Sequence, residues 1–406
     1  MVYNKPIIKG GKRMNFKFSK RISGVKASAI REILKMMNDP EIISFGGGNP
    51  ASETFPITKL KEISDDIFSN QANTILEYGI TEGDIDFKKA ALKFLSRHET
   101  VLKDYDEVMV TSGSQQIMDF MSKCLCDEGD IVICENPSFL GALNAFKSNG
   151  AKLVGIDMED DGIDLVKLEE ALQMPQKPKF IYLIPNFQNP TGITTSLKKR
   201  QAIYALAKKY QVMILEDNPY GDLRFRNDPI PSIKSLDDEG LVVYAASLSK
   251  IIAPGMRVAI MIGHRDLLAK CTVAKQTNDV HTNAWAQRVM ARFLNEVDMD
   301  EHLNKLQAVY SRKCNLMLKE MDRHFSKDCK WTIPDGGMFI WVTLPERLNM
   351  PSFVKKAIEH KVAVVPGNAF YDDDNKHCQS FRMNFSMPSD EQIIKGVAIL
   401  GALIND

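Results

Sequence analysis

The sequence lacks net charge, long apolar runs and low-complexity tracts. Its 406 residues contain 52 basic and 52 acidic side chains, so no overall charge attracts a phosphate backbone or an anionic lipid surface. No run of 18 apolar residues occurs, and the 24 glycines and 18 prolines are not concentrated in repeats. These absences argue against nucleic-acid and membrane partners.

Cysteine and histidine are also few, with seven of each scattered along the chain. Neither a CxxC pair nor an HExxH motif occurs, so no metal site is predicted. An odd number of dispersed cysteines is typical of reduced thiols and favours a cytoplasmic protein.

The N-terminal segment is basic, but no apolar stretch follows, so it does not resemble a secretory signal. We interpret residues 1–27 as a leader or arm. Residues 1–13 either belong to the native chain or are a translated leader before Met14. A ribosome-binding site within the codons for Gly10 and Gly11 would indicate the leader.

Short, nearly continuous apolar runs rich in β-branched residues alternate with helical patterns in the first two thirds of the chain. Runs of this kind are typical of strands buried on both faces, and the alternation predicts an α/β domain with a mostly parallel sheet and helices on both faces. The predicted strands lie at 108–110, 131–134, 180–184, 212–215, 241–244 and 258–262, with helices at 115–126 and 196–210.

The pattern changes after about residue 264 and predicts a smaller α+β domain. Residues 283–325 are mostly helical, and short strands and helices follow. The later strands are predicted at 339–342 and 381–385, and the later helices at 352–360 and 390–404. We place the large domain at 57–295 and the small domain at 296–406. Residues 28–56 are assigned to a mobile N-terminal helix and a substrate loop on the side of the small domain.

Four motifs occur where strands end in this scheme. The segment SGSQQ at 112–116 opens a helix, where free N–H groups suit a phosphate. Asp217 ends a buried strand, NPTG at 189–192 forms a turn, and SLSK at 247–250 precedes Arg257 by seven residues. Each motif taken singly has a simpler interpretation, as a turn, a cap or a surface lysine.

In combination, the order and spacing of these motifs resemble the fold-type I pyridoxal-phosphate enzymes of the aminotransferase class I/II family. The resemblance extends over residues 28–385. It implies pyridoxal 5'-phosphate as the cofactor and the large and small domains of that fold.

The resemblance implies catalytic roles for three residues. Lys250 matches the lysine that forms a Schiff base with the cofactor aldehyde and then moves a proton, which requires a neutral amine. Asp217 matches the carboxylate that keeps the pyridine nitrogen protonated. Tyr220, with Asn189, matches the donors to the phenolic oxygen of the ring.

The remaining cofactor contacts are implied by the same matches. Phe139 occupies the position of a stacking ring, where this subgroup usually has a tyrosine. Tyr78 matches a tyrosine that reaches the phosphate of the neighbouring subunit, which implies a homodimer. The phosphate-binding residues are matched by Ser114, Gln115, Ser247, Ser249 and Arg257.

The substrate positions follow from the family as well. Arg382 matches the arginine that binds the α-carboxylate, for which a guanidinium fork is suited. Gly48 and Asn189 approach the same group, and Phe339, with Gly337, lines the pocket. Asn49 departs from the usual leucine.

The segment KASAIREILK at 26–35 looks like that of the 2-aminoadipate/kynurenine aminotransferase branch, in which a helix closes over the substrate. Ser28, Ile30 and Arg31 match its pocket positions. Arg31 would meet a distal carboxylate, as in glutamate or 2-aminoadipate. Alternatively, the apolar residues of the helix cover an aromatic substrate, or Arg31 is simply solvated.

The function implied is transamination between an amino acid and a 2-oxo acid, with 2-oxoglutarate and glutamate as the shared pair. A β-eliminating lyase on the same fold is the alternative. A non-catalytic regulator is disfavoured, because the 27 residues before Ser28 are fewer than a DNA-binding module is expected to need.

Overall fold

The computed structural model describes residues 16–23, 41–97, 99, 101–373 and 376–406. These residues form a large mixed sheet with helices and a smaller sheet built from the C-terminal part of the chain. The strands are β1 Ile43–Ser44, β2 Asp106–Thr111, β3 Ile131–Asn136, β4 Lys152–Glu159, β5 Gly162–Ile163, β6 Phe180–Leu183, β7 Met213–Asn218, β8 Val242–Ser247, β9 Ala259–His264, β10 Lys330–Trp331, β11 Phe339–Thr343, β12 Val362–Ala363, β13 Val365–Pro366 and β14 Ser380–Asn384.

The large sheet has eight strands in the order β2-β9-β8-β7-β6-β3-β4-β5. Pairing is parallel from β8 through β7, β6 and β3 to β4, whereas β9 is antiparallel to both of its neighbours and β5 is antiparallel to β4. Six strands therefore run in one direction. The predicted α/β fold with a mostly parallel sheet is confirmed.

Helices cover both faces of this sheet. Alternate residues of one strand point to opposite faces, and in β6 Phe180 and Tyr182 belong to one apolar cluster whereas Ile181 and Leu183 belong to another. The longer helices of the first cluster in the large unit are Ile57–Leu76, Ile85–Leu95, Ser114–Leu125, Leu140–Ser148, Arg265–Gln276 and Ala284–Glu296, and those of the second are Leu165–Leu172 and Leu197–Tyr210. A short helix, Ile233–Leu236, also contributes to the second cluster.

The smaller sheet is antiparallel, in the order β10-β11-β14-β13, and it packs with the helices Met299–His324, Met350–Glu359 and Asp390–Asn405. The predicted helical region 283–325 is divided into two helices because Asp298 caps the second, accepting hydrogen bonds from the amides of Asp300 and Glu301. The domain boundaries assigned from the sequence stay predictions.

Residues 43–45 are attached to the small unit. β1 pairs in parallel with β12, and the amide of Asn384 in β14 donates to the carbonyl of Phe45 at 2.8 Å. This fixes the start of the glycine-rich loop 46–48 beside β14, the strand that carries Arg382.

The carboxyl ends of β3, β6, β7 and β8 lie at one edge of the large sheet, where open α/β sheets bind ligands. Phe139, Asn189 and Lys250 follow β3, β6 and β8, and Asp217 is near the end of β7. The fold therefore brings the sequence motifs together. In the described segments, no helix is long and apolar enough to cross a membrane.

Candidate active site

A cavity of about 270 Å³ lies at this edge of the sheet. It is lined by every residue that the sequence predicts to bind the cofactor except Tyr78, and also by Gly48 and Arg382, which the sequence predicts to bind the substrate. The lining residues are Gly48, Ser114, Gln115, Phe139, Ile184, Asn189, Asp217, Pro219, Tyr220, Ser247, Ser249, Lys250, Pro254, Arg257 and Arg382.

Lys250 lies in the turn after β8, and its Nζ donates to the carbonyl of Gly48 at 2.8 Å. The pKa of Lys250 is lowered to about 8, mainly by removal from water and also by the positive charges of Arg382 and Arg257, against an opposing effect of Asp217. A lower pKa gives more neutral amine near neutral pH, which is the form that acts as a nucleophile or base.

Asp217 is only 2% exposed. Its Oδ2 accepts a hydrogen bond from the Tyr182 hydroxyl at 2.9 Å, whereas Oδ1 is buried without a partner in the part of the chain described. Burial raises the pKa of Asp217 to about 7, and the Tyr182 hydrogen bond and the charge of Lys250 limit this rise. A buried acceptor without a donor fits the N–H of a bound pyridinium ring.

Arg382 lies in β14 between two phenylalanine rings, with Cζ 4.3 Å from the ring centre of Phe339 and 4.9 Å from that of Phe370. It donates to Asn189 Oδ1 and to the carbonyl of Gly46, both at 2.7 Å, and its Nε has no partner among the described residues. Burial lowers the pKa of Arg382 to about 10. A cation held by neutral acceptors is suited to a carboxylate ligand.

Asn189 also connects to the phenol of Tyr220, since its Nδ2 donates to the tyrosine oxygen at 3.4 Å. Burial raises the pKa of Tyr220, so the phenol keeps its proton at neutral pH. It can donate that proton to an oxygen in the cavity.

The end of the cavity nearest Ser114 has the features of a phosphate site. Gly113 precedes the helix Ser114–Leu125 with φ +82, and a Cβ there would lie 2.1 Å from Nη2 of Arg257. Only glycine permits this approach of the guanidinium to the helix N-terminus. Arg257 forms no ion pair within the described segments, and Ser247 Oγ accepts from the amide of Ser249 at 3.3 Å.

Phe139 forms an aromatic wall beside this end of the cavity. A Cβ at Gly141 would lie 2.4 Å from Cζ of Phe139 and 2.6 Å from Oε1 of Gln115, and Gln115 Nε2 donates to the carbonyl of Gly141 at 2.7 Å. Gly141 is therefore needed to seat both residues. Sequence reasoning did not find it, because an isolated glycine early in a helix gives no signal of its own.

Several proposed residues lie elsewhere. Tyr78 is 82% exposed and packs edge-on against His281, with ring centroids 5.8 Å apart. Phe339 lies behind Arg382 rather than on the cavity wall, and Gly337, with φ +71, is packed under Phe187. The three proposed residues of the N-terminal helix, Ser28, Ile30 and Arg31, lie outside the described residues, as does the proposed leader 1–13.

The sequence reasoning also missed a buried polar network behind the cavity. Glu135 Oε2 accepts from the amide of Ile184 and from Gln188 Nε2, both at 3.1 Å, and Gln188 Oε1 accepts from the amide of Thr191 at 2.9 Å. These bonds hold the loop that carries Asn189. Burial raises the pKa of Glu135 to about 8. The sequence did carry a signal for this network, because Glu135 and Gln188 are polar residues that follow the predicted buried strands 131–134 and 180–184.

Residues 40–400 match the family model for aminotransferase class I and II. The chain belongs to this family. It is 37% identical over 394 residues to the aromatic-amino-acid aminotransferase 1 of Thermococcus litoralis, covering 96% of this chain and 94% of the relative. It is 35% identical over 387 residues to the 2-aminoadipate transaminase of Thermus thermophilus, covering 95% of each.

A solved structure of a family member has the same fold. The kynurenine aminotransferase of Pyrococcus horikoshii in complex with PMP gives a TM-score of 0.91 at 35% identity, covering 96% of each chain. This chain is thus a pyridoxal-phosphate-dependent aminotransferase. The unpartnered Asp217 Oδ1 and the close approach of Arg257 to Gly113 fit the nitrogen and phosphate ends of that cofactor.

We expect capture of pyridoxal 5'-phosphate by the cofactor-free protein to depend on a group with a pKa of about 8. Only neutral Lys250 attacks the cofactor, so the rate should rise about tenfold per pH unit below pH 8 and level off above it. The measurement is the growth of the visible absorbance between pH 6.5 and 9.5. Arg382→Gln removes a neighbouring positive charge and should move the midpoint to higher pH.

The Lys250→Ala variant is the matched control and should develop no absorbance of lysine-bound cofactor. A rate that still rises about tenfold per pH unit up to pH 9.5, as expected for a lysine with the ordinary pKa of about 10.4, would contradict the assignment.

Proposed function

We propose that this aminotransferase exchanges amino groups between an acidic or aromatic amino acid and a 2-oxo acid, with glutamate and 2-oxoglutarate as the shared pair. The observation that carries the proposal is Arg382, which lines the same cavity as Lys250 and Asp217 but pairs with no carboxylate in the described segments. The α-carboxylate common to all amino acids and 2-oxo acids supplies the missing charge.

Each residue around the cavity has a distinct task in this proposal. Bound pyridoxal 5'-phosphate supplies an electron-withdrawing ring that stabilises negative charge at the substrate Cα. Asp217 keeps the ring nitrogen protonated, and Tyr220 and Asn189 donate hydrogen bonds to the phenolic oxygen. Lys250 Nζ would take up the proton from the substrate Cα and deliver it to the C4′ carbon of the cofactor, acting as a general base and then as a general acid. Arg257 and the helix N-terminus at Ser114 hold the phosphate.

The acidic or aromatic amino donor is supported by the similar proteins. The Thermus relative is a 2-aminoadipate transaminase, and the Thermococcus relative acts on aromatic amino acids by its name. Arg31 is the proposed partner of a distal carboxylate. Alternatively, an aromatic substrate side chain would take the place of the distal carboxylate and pack against the apolar residues of the N-terminal helix that is proposed to carry Arg31.

A homodimer is part of the proposal. Leu76, Tyr78 and Ile80 are 72%, 82% and 60% exposed, so three large side chains within five consecutive residues lie on the surface. Such a patch is typical of an interface, and a second copy of the chain would cover it. Tyr78 would then reach the phosphate in the neighbouring subunit. A single-chain mass in light scattering of the loaded enzyme would contradict this arrangement.

A panel of amino donors with 2-oxoglutarate as the acceptor tests the function. We expect glutamate to form from 2-aminoadipate and from aromatic donors, and turnover to stop when the 2-oxo acid is omitted. Glutamate is measured directly for each donor, and the Lys250→Ala variant is the control. Pyruvate and ammonia formed without a 2-oxo acid would instead indicate β-elimination.

Two arginine variants distinguish the proposed carboxylate sites. Truncating one partner of a buried charge pair costs about 2–5 kcal/mol, or roughly 30- to several-thousandfold in specificity constant. Arg382→Ala should therefore slow every substrate. Arg31→Ala should slow only glutamate, 2-oxoglutarate and 2-aminoadipate.

The half-reactions must be followed separately by cofactor absorbance, because an overall assay always includes the 2-oxoglutarate step. If Arg31→Ala slows the phenylalanine and glutamate half-reactions equally, the distal-carboxylate role is wrong. Arg31 would then be a structural part of its helix.

A further inference from the structure

A tyrosine in an apolar strand lies directly behind the cavity. Tyr182 is in the centre of the large sheet and has no exposed surface. In the strand register it lies between Cys134 of β3 and Leu215 of β7, and its ring packs edge-on against Phe146 with centroids 5.3 Å apart. A phenylalanine would fill this space equally well, so the hydroxyl needs a separate explanation.

The hydroxyl of Tyr182 donates to Oδ2 of Asp217 at 2.9 Å. Across the described part of the chain, this is the one hydrogen bond to that carboxylate, and Oδ1 has none. Lys250, whose positive charge acts on Asp217, donates instead to the carbonyl of Gly48. A hydrogen bond that holds Oδ2 in place sets the plane of the Asp217 carboxylate. It therefore also sets the direction in which Oδ1 points.

We propose that Tyr182 is a positioning residue for the cofactor, whose hydroxyl fixes Asp217 Oδ2 so that Oδ1 is presented to the pyridine nitrogen. The inference rests on the role of Asp217 in the proposed function. It adds that the carboxylate depends on a residue of the neighbouring strand for its orientation and charge.

The same hydrogen bond stabilises the ionised form of Asp217. Without it, burial would raise the pKa of Asp217 further, and the neutral acid would lose its attraction for a pyridinium ion. Among the other titratable groups around Asp217, Lys250 after β8 lowers its pKa, and the charge of Asp217 in turn raises the pKa of Glu135 of β3 and of Tyr220 after β7. None of these three is hydrogen-bonded to it in the described structure.

Tyr182→Phe tests the hydroxyl because it keeps the ring and its packing. The probe is pyridoxamine 5'-phosphate, whose amine cannot bond to Lys250, so its binding to the cofactor-free protein reports non-covalent affinity alone. Tyr204→Phe is a matched control because it also removes a tyrosine hydroxyl that donates to a carboxylate, that of Asp238. Tyr204 belongs to the apolar cluster on the opposite face of the sheet.

We expect Tyr182→Phe to weaken probe binding about fivefold at pH 7, because a rise of about one unit from a pKa of about 7 lowers the ionised fraction of Asp217 from about one half to about one tenth. Affinity should fall as Asp217 becomes protonated, and the higher pKa in the variant should move this fall upward by about one pH unit. Fluorescence titrations between pH 6 and 9 measure both effects. Tyr204→Phe should change neither.

A double-substitution cycle shows whether Tyr182 acts through Asp217. In an Asp217→Asn background, adding Tyr182→Phe should change probe affinity by less than about twofold. Independent losses from the two substitutions would overturn the inference. So would a Tyr182→Phe protein with the affinity and pH midpoint of the parent.

The remaining controls separate this inference from the function and from stability. If Asp217→Asn itself leaves probe affinity unchanged, the proposed role of Asp217 fails and the inference fails with it. A loss in Asp217→Asn but not in Tyr182→Phe overturns the inference alone. If Tyr182→Phe lowers only the urea midpoint of the cofactor-free protein, with an unchanged pH profile, Tyr182 is structural and the inference is wrong.

Discussion

The active site depends on an imbalance of charge. Three cationic side chains, Lys250, Arg257 and Arg382, line one cavity, and Asp217 is the single carboxylate among the lining residues. Leaving positive charge unpaired is costly, most of all at the buried Arg382, so the cavity favours ligands that bring negative charge to two separate places. A phosphate at one end and a carboxylate at the other meet this requirement, and the cofactor and an amino-acid substrate supply one each.

Neutral backbone oxygens hold two of these cations in place. The carbonyl of Gly48 accepts from Lys250, and that of Gly46 accepts from Arg382. Both oxygens belong to the loop 46–48, which is attached to the small unit through β1 and the contact of Phe45 with β14. A carbonyl dipole orients a cation without neutralising it, so each cation remains available to a stronger acceptor. This explains why the short strand β1 matters to a site that is otherwise built largely at the edge of the large sheet.

The sequence was informative where structure is local. Continuous apolar runs identified the central strands, and the predicted strand 258–262 corresponds to β9 at Ala259–His264. Long-range contacts had no such signal: Arg382 and Asn189 are 193 residues apart, and only the family resemblance brought them into one site. The two-residue strands β1 and β12 are too short for a periodic pattern. Tyr182 was missed because its ring satisfies the apolar pattern, although a hydroxyl in a buried strand requires a partner.

Burial changes the two principal ionisable groups in opposite directions and so brings their titrations together. An aspartate and a lysine in water titrate about 6.5 pH units apart, whereas here the pKa of Asp217 is about 7 and that of Lys250 about 8. Each group also limits the effect of burial on the other, because the charge of Asp217 raises the pKa of Lys250 and the charge of Lys250 lowers that of Asp217. A carboxylate that must be charged and an amine that must be neutral are thus both accessible near neutral pH. A more polar cavity would keep Asp217 ionised but leave Lys250 protonated, whereas a cavity without Asp217 would lose the partner of the pyridine nitrogen.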